Sequence, residues 1–170
     1  MSLPARELWT VLHGLIFGSL FLLAFAGGLA GLYSLRPELV TVAGIKERLT
    51  RLLAGTWVMA TIAWITVLSG TYIVYPWYRA SAPDSPRSLI LANPATKLWH
   101  NFGMEWKEHV GWFAPILATA VAFIVAYYGP QLSQDNRLRR AALWLFSLAF
   151  VAAGIAGIFG AFLNKVAPIR

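Results

Sequence analysis

The residues of this chain best suited to chemistry are its three histidines, His13, His100 and His109. A neutral imidazole nitrogen is among the commonest protein ligands for metals, and histidine is the side chain that titrates nearest to neutral pH. His13 lies in the first apolar run, where no acid, lysine or arginine accompanies it. His109 immediately precedes a later apolar run, and His100 lies upstream of it. Ionisable residues inside apolar spans are rare and usually functional.

Two imidazoles from different helices, at matching depth in one membrane bundle, are what a b-type haem requires. The nine positions from His100 to His109 turn an ideal helix by about 900°, which leaves the two rings on opposite faces. Both rings can therefore reach one site only if the helix breaks, for example at Gly103. Because His109 is nearer to the apolar run, we expect His13 and His109 to bind the haem iron. His100 is then the spare histidine.

Other side chains near these histidines fit the same interpretation. Glu105 precedes His109 by one helical turn and can accept the proton of the ring nitrogen that does not bind iron. Cations at the depth where haem propionates emerge are expected from Arg79, Arg87, Lys97 and Lys107. The predicted cofactor site is therefore one haem b held by His13 and His109, with Arg79, Arg87 and Lys107 beside it.

Two other interpretations of the histidines stay open. Histidines at a membrane boundary are often amphipathic anchors that bind no cofactor. A copper or iron site could instead be built from His13, Glu105 and His109, with His100 or Glu108 added, because such metals accept nitrogen and oxygen ligands. Hydrolytic catalysis is disfavoured, since no serine or cysteine nucleophile pairs recognisably with a histidine and an acid. We therefore expect no catalytic residue.

The composition indicates an integral membrane protein. Of the 170 residues, 58% are hydrophobic and only 12% are charged, which is too apolar for a soluble domain. The absence of cysteine excludes disulfides, iron–sulfur clusters, thiolate-ligated haem and c-type haem attachment. The net charge of +7 arises from basic residues at the ends of apolar runs, so we expect anionic lipid headgroups and not nucleic acid as their partners.

Four apolar runs predict an all-α fold, a single-domain four-helix bundle over 1–170, with spans at 8–35, 52–77, 110–128 and 141–164. The second helix is expected to begin near Gly44. The longest connection, 78–98, contains several prolines, and the third helix is expected to begin as early as Ala95. Pro115 should kink that helix or open a hydrogen bond near one of its ends. Residues 131–140 are expected to form a loop.

Four spans place both termini on one side of the membrane, together with the 78–109 segment. Basic residues are equally numerous on the two sides, but they are denser in the short loops 36–51 and 131–140, which favours a cytoplasmic location for those loops. We therefore expect the termini and the 78–109 loop to lie outside, most simply at the inner membrane of a bacterium. His13 and His109 then share the outer side.

In its architecture and in the position of histidines near helix ends, the chain is similar to four-helix membrane b-type cytochromes. A single haem near the outer face could not carry electrons across the bilayer alone. We therefore expect an electron-transfer subunit that acts with quinone or quinol, or within a larger complex of membrane subunits. The alternatives are a structural or assembly subunit of a respiratory or photosynthetic complex, and a small copper- or iron-handling protein.

Overall fold

The fold consists of helices and the turns that join them. The computed structural model describes residues 4–39 and 41–169, without the side chains of residues 42 and 43, and no strand occurs in this described part. The helices are α1 (Ala5–Ser34), α2 (Gly44–Tyr78, directly preceded by helical residues 42 and 43), α3 (Pro86–Ala92), α4 (Trp99–Tyr128), α5 (Gln131–Gln134) and α6 (Asn136–Val166). A short 3-10 helix, Pro37–Leu39, lies between α1 and α2. This confirms the all-α expectation.

Four of these helices are long and apolar enough to cross a membrane. They are α1, α2, α4 and α6, which contain 30, 35, 30 and 31 residues. At about 1.5 Å per residue, even the shortest is roughly 45 Å long, which exceeds a hydrocarbon core of about 30 Å. Large apolar side chains such as Leu23, Phe123 and Trp144 are exposed on their surfaces. An apolar exterior of this kind is typical of helices that face lipid.

Local sequence explains where several of the helices begin. Ser85 precedes α3, and its hydroxyl accepts a hydrogen bond from the Ser88 amide at 3.3 Å, with Pro86 in the first turn. Asp135 precedes α6, and its carboxylate accepts hydrogen bonds from the amides of Arg137 and Leu138 at 2.8 and 3.1 Å. Each cap satisfies amides that have no partner within their own helix.

The helix bounds agree with some sequence predictions and correct others. The early start of the second helix near Gly44 is confirmed. The third long helix, Trp99–Tyr128, starts later than Ala95: residues 94–96 form a turn, and the helical residues 97 and 98 lead directly into it. Residues 131–140 were expected to form a loop, but they are mostly helical, since the Asp135 cap starts α6 before its apolar run. Regular α-helical structure in α4 is interrupted at 110–112, in keeping with the opening predicted near Pro115.

The described residues divide into two compact units. The histidine unit comprises 4–19, 64–112 and 152–169, and it contains all three histidines. The second unit comprises 20–63 and 113–151. Each of the four long helices contributes residues to both units. The expectation of a single domain stays a prediction.

The core of the second unit is built around Phe146, which is fully buried. Its ring stacks on Phe25 with the centroids 5.2 Å apart, and it occupies the space beside the backbone of Gly28. The neighbouring Gly31 approaches Leu52 in the same way. Helices that cannot gain stability by expelling water from lipid rely on such close packing at small residues.

This packing predicts that Gly28→Ala destabilises the protein. A Cβ atom at residue 28 would lie 2.8 Å from Phe146 Cε1, so the ring would have to leave its position against Phe25. We expect a loss of about 1–3 kcal/mol, measured as lower thermal stability in detergent by circular dichroism. The matched control is Gly27→Ala, whose Cβ would meet no atom within 4 Å. Equal stability of the two variants would contradict this account of the core.

Candidate functional site

Helical distortions coincide with the histidines. The described residues contain three π-helical turns, Leu12–Ile16, Gly70–Val74 and Trp99–Met104, and all of them lie in the histidine unit. His13 belongs to the first turn, and His100 to the third. Single π-helical turns inside α-helices are rare and frequently occur at functional sites. The π-helical turns therefore indicate that a functional site lies in the histidine unit.

His13 packs directly against the backbone of α2 at Gly70. A Cβ atom at residue 70 would lie 2.5 Å from Cε1 of the His13 ring and 3.1 Å from its Nε2. Because real side chains do not approach this closely, the ring position requires glycine at residue 70. The Lys107 ammonium also lies near the ring and interacts with it electrostatically. An ionisable side chain in an apolar helix is thus half-buried against protein groups.

Two protein groups contact the His13 ring through hydrogen bonds. Nδ1 lies 3.3 Å from Oγ of Ser69, and that hydroxyl donates its proton to the Thr66 carbonyl at 3.0 Å. The Thr66 backbone also forms a hydrogen bond with the ring. In the tautomer that carries its hydrogen on Nδ1, the ring donates to the serine oxygen and Nε2 has a lone pair. A second-shell bond at Nδ1 is the usual way in which a protein fixes the tautomer of a metal-binding histidine.

His109 shows the same pattern at Nδ1 in a different setting. Its Nδ1 lies 2.9 Å from the backbone carbonyl of Glu105, so the ring nitrogen must donate and Nε2 again keeps its lone pair. Glu105 is the predicted partner, but the carbonyl makes the bond, while the nearer carboxylate oxygen lies at 3.7 Å. The side chain of His109 is 73% exposed, so its Nε2 edge is open to groups outside the protein.

His100 is enclosed on all sides. It is only 6% exposed, and its Nδ1 shares a hydrogen bond of 2.8 Å with the hydroxyl of Tyr78, which is 4% exposed. Ile90 and Met104 belong to the apolar cluster that surrounds Tyr78. The Tyr78–His100 bond therefore joins the end of α2 to the beginning of α4 inside a core. On the sequence alone, His100 is the spare histidine or an added ligand of a copper or iron site.

The predicted cations occupy three different environments. Arg79 lies 3.3 Å from both carboxylate oxygens of Glu108 and 3.6 Å from a carboxylate oxygen of Glu105, which ties the end of α2 to α4. Arg87 interacts electrostatically with Tyr78 and His100, and its buried Nε has no hydrogen-bond partner among the described residues.

Lys107 occupies the third environment, against α6. Its Nζ lies 2.9 Å from the position of a Cβ atom at Gly160. Two positions along an ideal helix differ in direction by about 200°, so Lys107 and His109 leave α4 on different faces. Lys107 is thus the predicted cation that accompanies His13, whereas Arg79 and Glu105 accompany His109.

The described histidines and acids contain no group of three that could hold a metal ion. A mononuclear copper or iron site would need such a set of protein ligands, whereas haem iron receives four nitrogen ligands from its porphyrin. A bis-histidine haem therefore asks for only two rings from the protein.

Sequence reasoning missed three residues that define the geometry. Ser69 bonds to the Thr66 carbonyl of its own helix and also to His13. Gly70 provides the space for the His13 ring. Tyr78 supplies the hydroxyl that bonds to His100. The adjacent Ser69-Gly70 pair in an apolar helix is the signal that could have identified two of them.

Comparison of the chain with known protein families, characterised proteins and solved structures finds no match.

The buried hydrogen bond predicts that Tyr78→Phe destabilises the protein. The substitution removes the hydroxyl and leaves the Nδ1 of buried His100 without its partner, which we expect to cost about 1–3 kcal/mol. Thermal unfolding in detergent measures the effect. Tyr127→Phe is the matched control, because Tyr127 is 77% exposed. If both variants unfold at the wild-type temperature, the Tyr78–His100 bond contributes nothing to the fold.

Proposed function

We propose that the chain is an integral membrane protein whose four spans are α1, α2, α4 and α6, and that it is a b-type cytochrome subunit of electron transfer. The observation that carries this proposal is the environment of His13. A histidine within an apolar helix is enclosed against glycine, with Nδ1 bonded to a protein oxygen. Ionisable groups at such positions are costly and are retained for function.

The proposed ligands of haem iron are His13 and His109. In each ring Nδ1 lies within hydrogen-bonding distance of a protein oxygen, an arrangement that supports binding of a metal through Nε2. The pair requires both Nε2 atoms to face one iron, although Lys107, the α4 residue beside His13, leaves that helix on a different face from His109. His109 is favoured over His100 as the second ligand because its ring is largely exposed, whereas His100 is enclosed beside Tyr78. Haem, when bound, supplies one-electron chemistry at a potential set by its ligands and their hydrogen bonds.

Propionate carboxylates would be received by the cations of the histidine unit. Arg87 is the strongest candidate, because its buried Nε is a donor without an acceptor among the described residues. Arg79 is already paired with Glu108, so its guanidinium would have to bind the propionate and the Glu108 carboxylate at the same time. Lys107 is placed beside His13 and not beside His109, which supports a contact only on the His13 side.

The residues of the chain then have distinct tasks. Ser69 and Gly70 hold the His13 ring in place, and the Glu105 carbonyl holds that of His109. The surrounding apolar helices shield the His13 ring from water, which strengthens its hydrogen bond, whereas the His109 ring is largely exposed. We place the site at the outer face, with the termini and the 78–109 segment. One haem there would exchange electrons with quinol or quinone, or with a partner subunit, without spanning the bilayer.

A structural or assembly subunit is the second candidate. It is favoured by the fact that each histidine already has a hydrogen-bond partner within the chain, and that Tyr78–His100 and Arg79–Glu108 join α2 to α4. In this case the histidines would stabilise the helices and bind no cofactor. The purified protein would be colourless, and exposed His109 could be replaced without effect.

The haem proposal predicts that His13→Ala and His109→Ala each remove or strongly shift the Soret band of the purified protein, because each change removes one iron ligand. Added imidazole should restore the spectrum of His109→Ala, since its ring lies at an exposed position. The spectra are compared after protein quantification in the same detergent. The control is His100→Gln, which retains a polar partner for Tyr78 and should keep the wild-type band.

The alternative outcomes separate the hypotheses. A Soret band that disappears in His100→Gln and persists in His109→Ala would assign the second ligand to His100. Colourless wild-type protein obtained from cells with ample haem would support the structural subunit and contradict the cytochrome.

A further inference from the structure

An open groove of about 420 Å³ lies in the second unit, between the first turns of α2 and the end of α4. Its apolar wall is formed by Leu49, Leu53, Val125 and Ala126, and its polar end by Lys46 and Thr50. The histidine unit and its proposed haem play no part in it. At roughly 30 Å³ per water molecule, the groove has the volume of about 14 waters, which is enough for a long segment of hydrocarbon chain.

The shape of the groove follows from the residues where α4 ends. Gly129 has no side chain, and a Cβ atom there would lie 2.9 Å from the Val125 carbonyl oxygen, closer than real Cβ atoms approach, and in ordinary contact with Leu49 at 3.5 Å. Pro130 follows, and it cannot donate a backbone hydrogen bond to continue the helix. The chain therefore leaves the axis of α4 close to α2. The groove lies between the two helices beside this turn.

Two of the three basic residues in the first turns of α2 already have partners within the chain. Of the basic residues near the start of α2, Arg48 donates to the Ser34 carbonyl at 2.7 Å, and Arg51 pairs with Glu47 one turn away. Lys46 is exposed, lines the groove, and forms no ion pair or side-chain hydrogen bond with the described residues. An unpaired cation among the described residues thus lies at the polar end of the apolar groove.

We propose that this groove binds one anionic glycerophospholipid, with its phosphate at Lys46 and an acyl chain along Leu49, Leu53 and Val125. Basic pockets between membrane helices bind the headgroups of anionic lipids, and each basic residue near the surface contributes about 1 kcal/mol. Lys46 supplies the charge, and the apolar wall receives the chain. The proposal rests on membrane insertion of the four long helices and is independent of the haem.

Native mass spectrometry of the full chain, released from detergent with equal amounts of phosphatidylglycerol and phosphatidylcholine, tests the proposal. We expect one phosphatidylglycerol to be retained in preference. Lys46→Gln should reduce its retention several-fold. Lys97→Gln removes the same charge from an exposed lysine outside the groove and should retain lipid as the wild type does.

A second pair of variants tests the groove itself. Ala126 is exposed on the groove wall, so Ala126→Trp should fill the channel without disturbing a core and should abolish lipid retention. Ala141→Trp adds the same ring at an exposed position outside the lining and should have no effect. Circular dichroism establishes that both variants keep the wild-type helix content.

The outcomes distinguish the possible failures. Equal retention of the two lipids, or an effect of Lys97→Gln as large as that of Lys46→Gln, would overturn the phosphate site at Lys46. Unchanged lipid retention in Ala126→Trp would overturn the groove as the lipid site. Wild-type dimers that Ala126→Trp disrupts would also overturn it, because a second copy of the chain would then occupy the groove. A chain that fails to enter vesicles at all would contradict the membrane spans themselves.

Discussion

An ionisable ring inside an apolar helix has to find its polar partners within the protein, and this constraint governs the histidine unit. His13 meets it by lying on the bare backbone of Gly70, where the hydroxyl of Ser69 reaches Nδ1. A hydroxyl that bonds to its own helix has an oxygen still able to accept, so one serine serves both helices. The cost of placing a polar group in an apolar helix is thereby offset.

At two further helix contacts, a large or charged side chain lies against the backbone of a glycine on the neighbouring helix. Phe146 lies against Gly28 in the second unit, and Lys107 lies against Gly160 in the histidine unit. In lipid, helices gain little from expelling solvent, so dispersion contacts and hydrogen bonds at short distance hold them together. Glycines in the helices therefore allow a packed core in the second unit, and in the histidine unit they make room for His13 and Lys107.

Apolar runs were sufficient to predict four long helices, because the length and composition of such segments follow from membrane thickness. The partners of His13 could not be predicted in the same way. An ideal wheel of about 100° per residue assigns faces correctly only while the helix is regular, and π-helical turns at Leu12–Ile16 and Gly70–Val74 change that register. The start of α6 was missed for another reason: the basic segment before the apolar run was interpreted as a loop, although arginine is a good helix former and Asp135 caps the helix there.

Whether the enclosed histidine serves a cofactor is decided most directly by the haem content of the purified chain. A pyridine haemochrome assay on detergent-purified protein, produced in cells supplied with a haem precursor, gives the type and stoichiometry of haem. The account predicts about one haem b per chain. Protein that is fully folded by circular dichroism but contains no haem would contradict it and would leave the contacts of His13 with Ser69 and Gly70 as packing alone.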